Sequence, residues 1–140
     1  MKISLPIVVV AFETDFGGVV SNTRFLEYIE RGRYALLHAA GLKINEIWER
    51  YGVQPVVRRV EVDYIGFARH EDELTLQVAI SEYRGATGTL MFELTRPADG
   101  AMMMRARQTL AFINTQWKPV RVPAWFQHAL PPQTSLSSLP

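Results

Sequence analysis

Cysteine is absent from this 140-residue chain, which removes disulfides, thiolate metal sites and a cysteine nucleophile together and suits a reducing compartment. Long hydrophobic runs are absent too: none approaches the roughly 18 apolar residues of a membrane-spanning helix. Met1 to Val10 is the nearest thing to a leader, but it is short, is interrupted by Pro6 and lacks a small-residue cleavage pattern, so a β-strand is expected there and a cytoplasmic protein overall. No excess of one charge exists, with 15 Lys plus Arg against 14 Asp plus Glu and a formal net charge of +1, which indicates neither nucleic acid nor a membrane surface as partner. Histidines are few and scattered at His38, His70 and His128, without metal-ligand spacing, so no metal is expected. There is no Gly-x-Ser-x-Gly elbow for a serine nucleophile. Gly85-Ala86-Thr87-Gly88 is not a phosphate loop, because no Lys-Ser or Lys-Thr and no helix follow it.

What is present fits one domain, with 48% hydrophobic residues to fill a core. Ile3 to Phe12 reads as a strand rich in β-branched residues, ended by the loop Glu13-Thr14-Asp15-Phe16-Gly17-Gly18. From Asn22 to Ala40 the period becomes helical, with Phe25, Ile29, Gly32, Leu36 and Ala39 on one face, Ser21 or Asn22 available as cap and Gly41 as stop. A short helix over Ile44 to Tyr51 precedes four strands: Val56 to Gly66, Glu73 to Tyr83, Thr87 to Thr95 and Ala101 to Asn114, the last three an antiparallel meander. Val122 to Leu130 adds a final helical turn. The expected fold is α+β, a five-stranded antiparallel sheet wrapped around one long central helix, forming a single domain over 1–130 with a flexible Pro/Ser-rich tail over 131–140. With one sheet face on the helix, the other, carrying residues such as Met102 and Met104 or Thr109 and Ala111, is expected to meet a second copy.

The run Glu13-Thr14-Asp15-Phe16-Gly17-Gly18-Val19-Val20, followed by Phe25-Leu26-Glu27-Tyr28 and Arg33, resembles the signature of the 4-hydroxybenzoyl-CoA thioesterase family of hot-dog proteins. Val62-Asp63-Tyr64, Ala68-Arg69, Ser81-Glu82-Tyr83-Arg84 and Met104-Arg105-Ala106-Arg107 extend the likeness from about Val8 to Pro123. The resemblance implies a hot-dog fold, hydrolysis of an acyl-CoA thioester without cofactor, and a homodimer, paired into a homotetramer, with active sites at the subunit interface. It implies Asp15 as the catalytic carboxylate, Gly18 and Asn22 as backbone donors to the thioester carbonyl, and a pocket lined by Phe16, Gly17, Tyr64 and, from the other subunit, Gln54. Arg84 falls where members carry cations for the CoA phosphates. Some members place a histidine seven residues after the aspartate and a tyrosine four before it; this chain has Asn22 and Ala11 there.

The chemistry is consistent with those residue types. Thioester hydrolysis needs an attacking oxygen, which a carboxylate supplies as nucleophile or as base toward water, and a donor for the charge building on the carbonyl oxygen. The unpaired N–H groups at a helix start supply such a donor. From spacing alone, an aspartate before Gly-Gly is usually a turn or capping residue, Asn22 is first a helix cap, Arg84 is equally a solvated turn residue and Gln54 reads as a strand-start polar residue. Two readings compete with the thioesterase: a non-catalytic acyl-CoA-binding hot-dog protein, and a hot-dog enoyl-CoA hydratase, which wants an Asp and His pair that Asn22 does not complete. The acyl group, aromatic or short to medium aliphatic, and its carrier, CoA or an acyl carrier protein, are left open.

Overall fold

The computed structural model describes residues 1–136. Five strands, β1 (Lys2–Val8), β2 (Val53–Tyr64), β3 (Glu73–Arg84), β4 (Thr87–Arg96) and β5 (Ala101–Asn114), form one antiparallel sheet in the order β1-β3-β4-β5-β2. Helix α1 (Asn22–Ala39) packs on its inner face, α2 (Ile44–Tyr51) follows, and α3 (Ala124–Ala129) closes the described chain. This is the hot-dog arrangement.

The helix is held by size as much as by apolarity. Phe25, Tyr28, Ile29, Gly32, Leu36 and Leu37 are its buried residues, facing Leu76, Ile80, Phe92 and Leu94. A Cβ on Gly32 would stand 2.7 Å from Leu76 Cδ2 and 3.3 Å from Phe92 Cε1, so the missing side chain sets how closely helix and sheet approach. Ala39, expected on the buried face, is exposed, because the helix ends there: Gly41 takes a φ of 75° and Leu42 N–H returns to Leu37 C=O at 2.8 Å.

Several boundaries moved for identifiable reasons. β1 stops at Val8, whose partner Glu73 is the first residue of β3; beyond it the Glu13 carboxylate accepts the Val10 N–H at 3.0 Å and the chain turns through a 3₁₀ segment, Ala11–Glu13, where a strand was expected. In β2 a bulge between Val57 and Arg59 reverses the alternation. Val56 opposite Ala111 therefore lies on the other face from Val60 opposite Gln108, although the sequence pattern puts both valines on one face. Met104 is fully buried on the helix side and not on the outer face as expected. The outer face of β2, β4 and β5 instead carries Glu61, Asp63, Glu93, Arg105 and Arg107, in which Asp63 and Glu93 both register on Arg105. That surface is charged and does not require an apolar cover.

Within 131–136 of the expected tail the chain touches the sheet. Gln133 N–H bonds Ile80 C=O at 2.8 Å, extending the sheet past the end of β1, and Leu136 is buried, with its carbonyl accepting from Lys2 Nζ. The remainder of that tail lies outside the described residues. Among the described residues no helix is long and apolar enough to cross a membrane.

Replacing Gly32 by valine should lower stability by roughly 1–3 kcal/mol in urea unfolding, since the added atoms must displace Leu76 or Phe92. An unchanged unfolding midpoint would mean that helix and sheet do not meet at this glycine.

Candidate active site

The loop before α1 is built by backbone bonds that leave one carboxylate at its tip. Asp15 N–H donates to Val19 C=O at 2.9 Å and Gly18 N–H to Asp15 C=O at 2.9 Å, closing a tight turn in which Gly18 takes a φ of 75°. The hairpin is then pinned to the loop after β2 by Val20 N–H to Ala68 C=O at 2.8 Å, and to its own base by Ser21 N–H to Glu13 C=O at 3.0 Å. Asp15 Oδ1 accepts the Gly17 N–H at 3.0 Å, and among the described residues no bond reaches Oδ2. The carboxylate is exposed and oriented by one bond, with its second oxygen open.

This geometry changes the donors expected from sequence. The Gly18 amide is consumed by the turn and the Gly17 amide by Asp15, so neither glycine offers a free N–H. Asn22 is the first residue of α1 and not its cap; the cap is Ser21, whose side chain makes no capping bond. Helix geometry leaves the N–H groups of Asn22 and Thr23 without intrahelical acceptors, and among the described residues no side chain replaces them. A helix start without a side-chain cap beside a carboxylate is an arrangement for receiving a carbonyl oxygen.

Tyr64, the last residue of β2, reaches across to this start: its hydroxyl donates to Asn22 C=O at 3.3 Å and its ring meets Phe25 edge-on at 5.5 Å. Gly66 permits the next turn to fold over, because a Cβ there would lie 2.8 Å from Met102 C=O. Asp15, Asn22, Phe25, Tyr64, Gly66 and Phe67 line a cleft of about 100 Å³. That is well below the few hundred Å³ of a drug-sized ligand site, so one protomer supplies a mouth and not a whole pocket. Larger hollows exist, about 350 Å³ between the ends of α1 and α2 and about 770 Å³ along β1 beside Arg96, but the small cleft is the one onto which Asp15 and the start of α1 open. Of the exposed phenylalanines Phe67 lines it, whereas Phe16 follows Asp15 in the loop outside the lining and Phe12 lies under the Arg24 guanidinium at 5.5 Å.

Two predicted site residues are not brought here within the protomer. Gln54 lies ten residues from Tyr64 along β2, roughly 33 Å at strand rise. Arg84 sits at the β3–β4 turn at that same far end, highly exposed and 3.8 Å from Glu82. Other polar groups were not singled out by sequence. Glu13 is buried two residues before Asp15 and accepts the Tyr28 hydroxyl at 2.9 Å as well as the Val10 amide. Gln108, fully buried on β5 beneath α1, accepts from Arg33 Nη1 at 2.9 Å and donates to Glu30 at 3.1 Å, while Arg33 and Glu30 pair directly. A lone glutamine in the alternation Met104, Ala106, Gln108, Leu110, Phe112 was the available signal.

The fold and the carboxylate at an open helix start define a class of hot-dog proteins built for thioester chemistry. The chain belongs to the thioesterase-like superfamily, whose model matches residues 9–130. It is 31% identical over 121 residues to the acyl-CoA thioesterase YbgC of Haemophilus influenzae, covering 86% of this chain and 88% of that protein. A probable thioesterase from Bartonella henselae superposes with a TM-score of 0.77 at 29% identity, over 88% of this chain and 100% of that one. A 4-hydroxybenzoyl-CoA thioesterase mutant solved with 4-hydroxybenzoyl-CoA superposes at 0.86 and 16% identity, over 92% and 98% of the two chains, a likeness of fold.

Burial first, and then the Glu13 bond, raise the ionisation of Tyr28 above the tyrosine range; burial does the same for Tyr83, whose hydroxyl donates to Leu130 C=O at 2.6 Å. A folded-state value raised above the unfolded one stabilises at pH below the unfolded value of about 10 and loses that contribution as pH climbs above it. Unfolding free energy should therefore fall steeply above about pH 10, and the Tyr28→Phe, Tyr83→Phe double variant should show a shallower fall. Identical alkaline slopes for wild type and variant would refute this assignment.

Proposed function

We propose that this protein hydrolyses acyl-CoA thioesters to the free acid and CoA, with Asp15 as the catalytic carboxylate. The observation that carries the reading is the open Oδ2 of Asp15 beside a helix start without a side-chain cap. In the reaction the thioester carbonyl oxygen takes the N–H groups of Asn22 and Thr23. Asp15 either attacks the carbonyl carbon, forming an anhydride that water then opens, or removes a proton from the attacking water; CoA leaves as the thiolate and is protonated. Preorganised donors of this kind contribute roughly 3 kcal/mol each, about a hundredfold in rate. Phe25 and Phe67 in the lining of the cleft give aromatic and medium aliphatic acyl groups an apolar wall.

We propose further that the working unit is a homodimer joined along the free edge of β2, which then pairs into a tetramer. β2 is a twelve-residue edge strand, and long edges of unpaired backbone invite pairing. At the Asp15 end Asp72 and Asp99 pair with Arg96 and Asp63 registers on Arg105, whereas at the far end Lys118 and Arg121 have no carboxylate partner among the described residues. A pairing centred on Val60 sets Arg59 opposite the partner subunit's Glu61 and brings the partner subunit's Gln54 level with Gly66, where it would complete the shallow cleft.

A CoA-release assay over aromatic, short and medium acyl-CoAs tests the activity. Asp15→Asn should lower kcat by about a hundredfold or more while leaving the fold intact. Equal rates in wild type and Asp15→Asn would exclude Asp15 from the chemistry. Single turnover in ¹⁸O-water identifies a nucleophilic Asp15 if label enters its carboxylate, since a general base would never acquire it. A protein that is monomeric at micromolar concentration would exclude the shared pocket.

A further inference from the structure

At the end of the sheet opposite Asp15, the chain holds a tryptophan where a glycine belongs. The turn after β5 is closed four ways on Asn114: its C=O accepts Trp117 N–H at 3.0 Å, its Oδ1 accepts Gln116 N–H at 2.9 Å and Lys118 N–H at 3.1 Å, and its N–H returns to Lys118 C=O at 2.9 Å. Such a loop ends in a left-handed residue, commonly glycine. Here Trp117 takes that place with a φ of 61° and stands 70% exposed. No ring partner is recorded for it among the described residues, so packing does not account for an aromatic in an unfavourable backbone conformation.

Its neighbours in the chain include two cations, unpaired among the described residues. No aspartate or glutamate occurs after Asp99, whereas Lys118 and Arg121 follow Trp117 directly. Both are exposed and neither has a carboxylate partner among the described residues. The Arg121 segment is tied to the β3–β4 turn by Val122 N–H to Gly85 C=O at 3.0 Å, which brings Arg84 to the same surface. An exposed indole followed by unpaired cations is the combination that stacks a base and neutralises its phosphates.

We infer that Trp117, Lys118 and Arg121 form the binding surface for the 3′-phosphorylated adenine nucleotide of CoA, acting across the dimer on a thioester held at the other subunit's Asp15. This rests on the thioesterase reading. Within one protomer the two places are about a sheet length apart, beyond the reach of CoA: Asn114 lies ten residues along β5 from Met104, the partner of Tyr64, roughly 33 Å. Antiparallel pairing of the β2 edges removes that separation. Val53 registers with Asn114, so the partner subunit's Val53, and with it the Asn114 turn one strand inward, arrives at the level of Phe67 and the Asp15 mouth. The nucleotide then lies on one protomer while the acyl group enters the other.

The test uses Trp117→Gly and the Lys118→Ala, Arg121→Ala double variant, read by two substrates and one ligand. Trp117→Gly should melt no lower than wild type, since glycine suits a φ of 61°, which separates loss of binding from loss of fold. Adenosine 3′,5′-bisphosphate should quench wild-type tryptophan fluorescence on binding; each variant should bind it about tenfold more weakly or worse, and the double variant should lose most of the salt dependence. For hydrolysis, the preference for acyl-CoA over the acyl-N-acetylcysteamine thioester, which lacks the nucleotide, should collapse through KM in both variants. Mixed dimers of Asp15→Asn with Trp117→Gly should regain the low KM for acyl-CoA, because one of their two sites combines an intact Asp15 with an intact Trp117. Unaltered bisphosphate affinity in the variants, an equal loss on both thioesters, or no recovery in mixed dimers each overturns the inference. Ligand binding needs no turnover, so a wild type that binds the bisphosphate through Trp117 but hydrolyses no thioester would sink the thioesterase reading, whereas one that hydrolyses both thioesters with equal KM would sink this inference alone.

Discussion

Helix α1 lies against the sheet at a distance set by the absent side chain of Gly32, with Leu76 and Phe92 occupying the space a Cβ would need. The rest of the architecture follows from that contact. A helix this close to the sheet buries one continuous face, which is why Phe25, Tyr28, Ile29 and Leu36 lie inside on the same side as Gly32. It also fixes the helix axis, and so fixes where the N-terminus emerges. The loop that precedes it has little freedom: bonded to Ala68 through Val20 and to Glu13 through Ser21, it delivers Asp15 to the helix start with the only local bond to its carboxylate coming from Gly17. A rigid support behind an exposed carboxylate is the arrangement that catalysis by positioning requires.

Polar groups within this core serve the same end by being fully partnered. Gln108 would be costly beneath α1 were it not bonded to both Arg33 and Glu30, and Glu13 would be costly were it not bonded to Tyr28 and the Val10 amide. No buried side-chain nitrogen or oxygen among the described residues is left without a partner. The start of α1, by contrast, has no side-chain cap, and the cleft beside it is the one that Asp15 lines.

Charge is mostly paired along the sheet: Arg96 holds Asp72 and Asp99, Arg105 faces Asp63 and Glu93, and Arg84 lies near Glu82, whereas Lys118 and Arg121 have no carboxylate partner among the described residues. The cleft beside Asp15 is small in one protomer, and Gln54 lies about ten residues along β2 from Tyr64.

The sequence by itself determined the order of the elements, the helix with its glycine, the meander and the identity of Asp15, because each is written in local signals: period, turn chemistry and an ordered motif. Tertiary structure decided what local signals do not encode. The bulge after Val57 reversed which valine faces the core, since register depends on the partner strand and not on alternation alone. The turn consumed the Gly18 amide and left Asn22 at the first helical position, because hydrogen-bond supply is settled only when the loop is closed. Burial selected Glu13 and Gln108, which look like ordinary polar residues until the helix lies over them. A carboxylate can be read from a sequence; which of its neighbours still has a proton to give is decided by the fold.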